Sequence, residues 1–262
     1  MTFPFQSAAT GMTACAGILL WISEGILPFF QGRRSRGSHA ALNLGMAAVN
    51  LTIILPAGIA TTSIIDGLHP VYAGIGALRL GPLTESLIVL LLLDLWMYLW
   101  HRINHELPFL WRFHAVHHSD GQLDVTSAWR FHPGEILFSE LLRVPFLILV
   151  GASAWEILLY NLLMTPVIQF HHSNIRVNGT LDRLLRTVIP TPLLHRIHHS
   201  TRRSEHDSNY GAMLSIWDRL FGTLIIRPVA PSTPIGLEGE STPERQNLAT
   251  LMKRPFLTPA PF

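Results

Sequence analysis

Histidine is the residue type in this chain most able to do chemistry, and it is concentrated in one stretch. Of the 14 histidines among 262 residues, 12 fall between Asp94 and Tyr210. They come in spaced groups: His101 and His105; His114, His117 and His118; His132; His171 and His172; His195, His198 and His199; then His206. One spacing, H-x-x-H-H, occurs at His114–His118 and again at His195–His199. A helix puts residues three and four apart on one face, so each group can offer two or three imidazoles to a common point. Imidazole binds zinc, copper, iron and nickel. Nine rings (His101, His105, His114, His117, His118, His172, His195, His198 and His199) exceed the four ligands of a tetrahedral ion. They suit two ions with neighbouring ligand sets.

Other residues in the stretch are weaker candidates. His132 precedes Pro133 and Gly134 at an expected helix start, where it could be a ligand or support one. His171 and His172 point about 100° apart on a helix, so one site uses one of them. Asp94 precedes His101 by seven residues, on nearly the same face, and either orients an imidazole through a hydrogen bond or is a buried polar group of a helix bundle. Asp207, Asn209 and Asp218 read as structural or supporting groups, His206 as a surface residue, and His39 and His69 as anchors at a membrane interface. Trp96, Tyr98 and Trp100 fit an interfacial aromatic belt. The single cysteine, Cys15, lies in an apolar run, so any metal is held by histidine and oxygen ligands. A zinc-protease H-E-x-x-H is absent, because Phe109 stands where the second histidine is needed. Facing axial ligands for a haem pair are absent from the apolar runs.

The elements that must position these rings are those of a membrane protein. Charged residues make up only 14% of the chain, against roughly 25% in globular proteins, and apolar residues 48%. The net charge of +2 forms no nucleic-acid stripe. Gly11–Phe30 is apolar apart from Ser23 and Glu24; with no basic residue before it and no small-residue cleavage site it reads as a retained span, not a signal peptide. Ala40–Ile65 is a second span, with a kink at Pro56, and Pro82–Trp100 a third. Arg33, Arg34 and Arg36 place the first loop in the cytoplasm, so the third span delivers His101 to that side. Ile136–Phe170, broken at Pro145, at Gly151–Ser153 and at Glu156, reads as a re-entering helical hairpin that returns the chain to the same face. All the histidine groups are then cytoplasmic, beside arginines suited to an anionic leaflet. Tyr210–Leu220 reads as an amphipathic helix closed by Gly222. The expected fold is therefore all-α: about three spans, the hairpin 136–170 and a cytoplasmic histidine-rich cap. It divides into an N-terminal transmembrane region 1–82, a di-metal region 83–227, and a Pro-rich surface tail 228–262 with a short helix near Arg245–Met252.

The order H-x-x-x-H, H-x-x-H-H, a histidine after a membrane hairpin, then H-x-x-H-H resembles the fatty acid hydroxylase and sterol desaturase superfamily. Trp100–His105, Leu110–His114, Val116–Ser119, Arg130–Pro133, Phe170–Asn174, Thr191–His195, Ser208–Gly211 and Trp217–Thr223 are similar to its bacterial branch, so that the resemblance spans about Leu90 to Thr223. It implies a non-haem centre of two irons, dioxygen as co-substrate, and hydroxylation or desaturation of a lipid such as a fatty acyl chain or a sterol. It also implies electrons from a separate carrier (a ferredoxin, or a b-type cytochrome with its reductase) and location in a bacterial inner membrane. Its F-x-H-S-N pattern selects His172 over His171. A non-catalytic metal-binding or transport protein of the membrane is the alternative, but the spans carry too few polar residues for a transport path.

Overall fold

The computed structural model describes residues 2–31, 35–68 and 73–257. They form eleven α-helices and no strand, with two isolated bridges, Pro28 to Ile175 and Ser200 to Ile235. Arg33, Arg34 and His69 lie outside the described residues, as does the tail beyond Leu257. Of the three N-terminal helices, α2 (Arg36–Leu68) and α3 (Pro82–Glu106) are long and apolar enough to cross a bilayer, with mean hydropathies of 1.7 and 1.6. The first, α1 (Thr2–Ile26), contributes a shorter apolar stretch, Thr10–Ile26. Large apolar side chains such as Leu19, Leu55, Ile59, Leu83 and Leu149 stay exposed along these and neighbouring helices.

The third helix does not stop at Trp100. It continues two turns to Glu106 and carries His101 and His105 on its last turns. Pro108 ends it: a residue before proline is pushed out of the helical region, and Leu107 sits at φ −95°, ψ 118°. The chain restarts at once as α4 (Pro108–His118), with proline at its first turn, where its missing N–H costs nothing.

α5 (Pro133–Val150) and α6 (Ala154–His172) are consecutive helices joined by a three-residue turn. Pro145 does not break α5, and Glu156 does not interrupt α6. Glu156 instead closes a capping box, accepting from the Ser153 backbone at 2.8 Å while Ser153 Oγ accepts from the Glu156 N–H. Gly151 makes the turn at φ +70°, where a Cβ would stand 2.6 Å from the Ala73 carbonyl, so only glycine lets the two backbones meet. The α5–α6 turn thus seats on the connection between α2 and α3, beside an apolar core of Ile65, Val89, Leu93, Leu147, Val150 and Ile157.

At the opposite end, buried polar side chains tie the helices together. Glu24, near the end of α1, accepts from the backbone N–H groups of Val125 and Asn174 at 2.8 and 2.7 Å. His39, expected as an interfacial anchor, is buried near the start of α2 and bridges Asp120 and Asp124 at 2.9 and 2.7 Å. Short helices complete this end: α7 (Gly179–Leu185), α8 (Pro192–His198), α9 (Arg203–His206), α10 (Ile216–Leu220) and α11 (Leu248–Leu257).

Three expectations shift here. Tyr210–Leu220 is helical only from Ile216, because side-chain carboxylates take the preceding backbone donors: Asp218 accepts from Tyr210 and Gly211, Asp94 from Met213 and Leu214. The tail helix spans Leu248–Leu257, starting and ending later than the expected Arg245–Met252. It packs on α2 and α4 through Leu251, and just before it Gln246 accepts from the buried Arg130 guanidinium at 2.7 Å. Tyr98 and Trp100 do not form a belt; both are buried, with Tyr98 stacked on Phe221 and hydrogen-bonded to Thr223 at 2.9 Å.

Candidate metal centre

The nine histidines singled out by spacing come together, and they do so as two adjoining groups. His101, His105, His114, His118 and His198 bring one ring nitrogen each within 4.8 Å of one another, and His117, His172, His195 and His199 do the same. The groups touch: the rings of His118 and His199 stack with centroids 4.4 Å apart. Each H-x-x-H-H motif feeds both groups. His114 and His118, four apart on α4, join the five-histidine group, while His117 turns to the other. In the second copy, His195 and His199 join the four-histidine group and His198 crosses over. Each motif thus offers two rings to one point, within the expected two or three, and gives its third to the neighbouring group. Residues four apart sit within about 40° on a helix and the residue between them lies about 60° or more away, enough to aim it at a neighbouring ion.

The rings are held by their far nitrogens. Nδ1–H of His101 donates to the Tyr210 carbonyl (2.9 Å), that of His198 to Ser208 (2.7 Å), that of His117 to Arg130 (3.1 Å) and that of His172 to Ile168 (2.8 Å). Carboxylates take two more: Glu135 from His114 at 2.8 Å and Asp207 from His105 at 3.2 Å. A proton on Nδ1 leaves the lone pair on Nε2, which is how ligand histidines are oriented for a metal. In the five-histidine group all five Nε2 atoms are buried without a partner. In the other, Nε2 of His172 lies 3.2 Å from that of His117 and 2.9 Å from that of His195, whose Nε2 is 3.0 Å from that of His199.

These atoms fit a metal and little else. A buried unsatisfied polar atom costs about 1–3 kcal/mol, so five of them rival the whole net stability of a domain, about 5–15 kcal/mol. A shared cation satisfies them all at once. Burial first, and then the neighbouring imidazoles, hold His117, His118, His195 and His199 well below the ordinary imidazole pKa; burial and the His101 ring do the same for His198. They are neutral at pH 7, the state a metal requires.

The weaker candidates stand elsewhere. His132 joins neither group: its Nδ1 accepts from the Gly134 N–H at 2.9 Å as the cap of α5, and its Nε2 donates to the Met252 carbonyl at 3.1 Å. His171 lies against His195, ring centroids 4.1 Å apart, outside the four. Asp94 touches no imidazole. It accepts from Tyr160, Trp217 and the Met213 and Leu214 backbone, and so pins the segment that presents the Tyr210 carbonyl to His101. Asn209, at φ +54°, binds the Leu194 and Ile225 backbone rather than a ring. His206 is buried, not at the surface, and its ring stacks on Trp111. Glu135 was not singled out by spacing; an acid in the first turn of a mostly apolar helix, three residues after His132, was its one signal.

A family model described as fatty acid hydroxylase matches residues 86–223, a little over half of the sequence. The chain belongs to the fatty acid hydroxylase family. Among its relatives, an ornithine lipid hydroxylase of Rhizobium tropici is 39% identical over 60% of this chain and 46% of its own length. The alkylglycerol monooxygenase of Homo sapiens is 34% identical over 50% of this chain and 28% of that protein, and the cholesterol 25-hydroxylase of Rattus norvegicus 26% identical over 56% and 48%. The chain thus spans about half the length, or less, of these curated relatives. No solved structure matches it. This hydroxylase-family match covers both histidine groups and the α5–α6 pair between them.

Proposed function

We propose that this hydroxylase-family chain is a membrane-bound oxygenase that hydroxylates a lipid, with one iron ion in each histidine group. The observation that carries the reading is the pair of adjoining histidine groups, nine inward Nε2 atoms with six of the nine rings anchored through Nδ1. The reaction class balances as C–H plus dioxygen, two electrons and two protons giving C–OH and water. Two irons, when bound, supply an oxidant strong enough for an unactivated C–H bond. The protein's own share is to hold nine imidazoles in place, so that no reorganisation is needed. Phe131, stacked on His117 at 4.6 Å, and Trp111 against His105 and His118 wall the centre with apolar surface. They limit the access of water. His101 is less buried than the other eight and marks the side open to substrate.

The membrane arrangement is part of the same proposal. The ends of α1, α3 and α6 and the starts of α2 and α5 converge on the histidine end, while the α2–α3 connection and the α5–α6 turn meet at the other. This favours a bundle with all the ligand-bearing segments on one face, and Arg36 with the arginines of 176–227 argues that this face is cytoplasmic. Electrons then come from a separate cytoplasmic carrier. The relatives named above act on an ornithine lipid, an alkylglycerol and cholesterol, so the shared substrate class is a membrane lipid.

The test is twofold. Purified protein should hold about two irons per chain and lose one or both on His117→Ala. Lipid extracts of cells with and without the protein, grown under isotopically heavy dioxygen, should differ by a species that has gained one labelled oxygen. Bound iron with no change in any lipid class, and no dioxygen consumption with a competent reductant, would instead indicate a metal-binding protein without catalysis. Loss of two hydrogens would redirect the reading to desaturation.

A further inference from the structure

The geometry points to a third, outer metal site formed by His206 and Asp207 with His105, through which a divalent cation reaches the five-histidine group. This rests on the reading that the group binds metal. His105, His206 and Asp207 bring one ligand atom each within 4.8 Å of one another. His105 belongs to both assemblies, so its ring serves the two sites in turn and not at once. His206 has no place in the main centre, yet it is buried and its Nδ1 has no partner. Its centroid lies 5.9 Å from that of His105 and 5.8 Å from that of His118.

Exposure falls stepwise along the three residues. The side chain of Asp207 is 31% exposed, that of His206 9% and that of His105 0%. A hydrated cation must shed water before it can enter a buried nest of imidazoles. A carboxylate at the mouth attracts it from a distance. Asp207 is placed for this: Oδ1 faces the His105 ring at 3.2 Å and the His206 ring at 3.7 Å, while Oδ2 accepts from Arg203 Nε at 3.0 Å. Of the three metal-capable groups among the described residues, only this one contains a carboxylate. Arg203, 44% exposed at its side chain, covers the outer oxygen and has to swing away, or share it, when a cation arrives.

A loading site changes rates in both directions and leaves the final affinity alone. The experiment uses the full chain in detergent, stripped of metal and supplied anaerobically with ferrous iron. Bound iron is followed over time by rapid gel filtration and elemental analysis, and its release is followed into excess chelator. His206→Phe keeps the stack on Trp111 and removes the ligand nitrogens. It should slow both uptake and release by roughly ten-fold, the size common for residues supporting a metal site, with unchanged iron content at equilibrium. Arg203→Ala, which uncovers Asp207, should speed uptake, and it keeps the proposal testable if the first variant does not fold. Wild-type time courses in both variants would overturn the proposal while leaving the di-iron reading intact. A lower equilibrium content in His206→Phe, without slower release, would also overturn it and make His206 a support of the main site. No iron uptake by the unaltered chain would remove the di-iron reading itself, and the loading site with it.

Discussion

Glu135 Oε1 accepts the Nδ1 proton of His114 at 2.8 Å, with both side chains buried and the second carboxylate oxygen unpartnered. Asp207 is the other carboxylate behind a ring of the five-histidine group. A carboxylate behind a ligand imidazole makes Nε2 more basic and fixes its direction. Glu135→Gln keeps an acceptor at the same place and removes the charge. It should weaken binding of the ion in the five-histidine group about ten-fold, measured by chelator competition, with the ion of the four-histidine group held as before. Equal weakening at both positions would mean that Glu135 acts on folding and not on His114.

Asp94 ties α3 both to α6 and to a segment more than a hundred residues later: it accepts from Tyr160 Oη on α6, and from Trp217 Nε1 and the Met213 and Leu214 N–H groups, at 2.7–3.1 Å. Asp94→Ala leaves these buried donors without an acceptor, each at about 1–3 kcal/mol. The variant should lose at least about 3 kcal/mol of stability, seen as a lower midpoint of thermal unfolding in detergent. It should also bind iron less well, because the freed 213–217 segment no longer holds the Tyr210 carbonyl against His101. An unfolding midpoint within a degree or so of the original would contradict the clamp.

Protonation gives an independent handle. His117, His118, His195, His198 and His199 are held neutral, well below the ordinary imidazole pKa, chiefly by burial. Once unfolded, each takes up a proton as pH falls below about 6.5. The unfolded chain then binds more protons than the folded one, so stability is fully present above that pH and is lost as pH drops. The slope approaches about 1.4 kcal/mol per pH unit for each such histidine. Metal-free protein should therefore unfold over a narrow range just below pH 6.5, with several protons taken up together. Bound metal should move the transition to lower pH. Unfolding curves that do not change between pH 8 and pH 5 would count against neutral buried rings.

Eight of the nine imidazoles were legible from type and spacing alone, because three- and four-residue intervals on a helix carry geometric meaning; His172 was chosen over His171 by the family pattern. Their division into five and four was not. The helical offset inside each motif separates the rings, but which neighbour each ring meets depends on contacts between segments far apart in sequence. Helix existence was legible from apolar runs, whereas helix ends were decided by caps and side-chain acceptors. Pro145 reads as a break but sits inside α5, and Asp218 prevents a helix from starting at Tyr210. His39 illustrates the limit. A lone histidine after a basic loop looks like an anchor until Asp120 and Asp124, more than 80 residues away, prove to face it.

Asn209 shows how a residue that resembles a ligand can act through backbone. It sits at φ +54°, a region asparagine tolerates better than most residues. Its amide donates to the Leu194 and Ile225 carbonyls at 3.1 and 2.9 Å and accepts from the Ile225 N–H at 2.9 Å. The carbonyls on either side of it, Ser208 and Tyr210, receive the Nδ1 protons of His198 and His101. Both rings belong to the five-histidine group, whereas the link from Asn209 to the other four is indirect, through the Leu194 carbonyl beside His195. Asn209→Ala loses three hydrogen bonds at about 1 kcal/mol each and strains the backbone by roughly another 1 kcal/mol. It should release the ion of the five-histidine group first, lowering iron content towards one per chain. Asn209→Gly loses the same bonds without the strain and should fall between that variant and the unaltered protein. If both ions leave together in Asn209→Ala, the residue supports the fold as a whole and not the two carbonyls beside it.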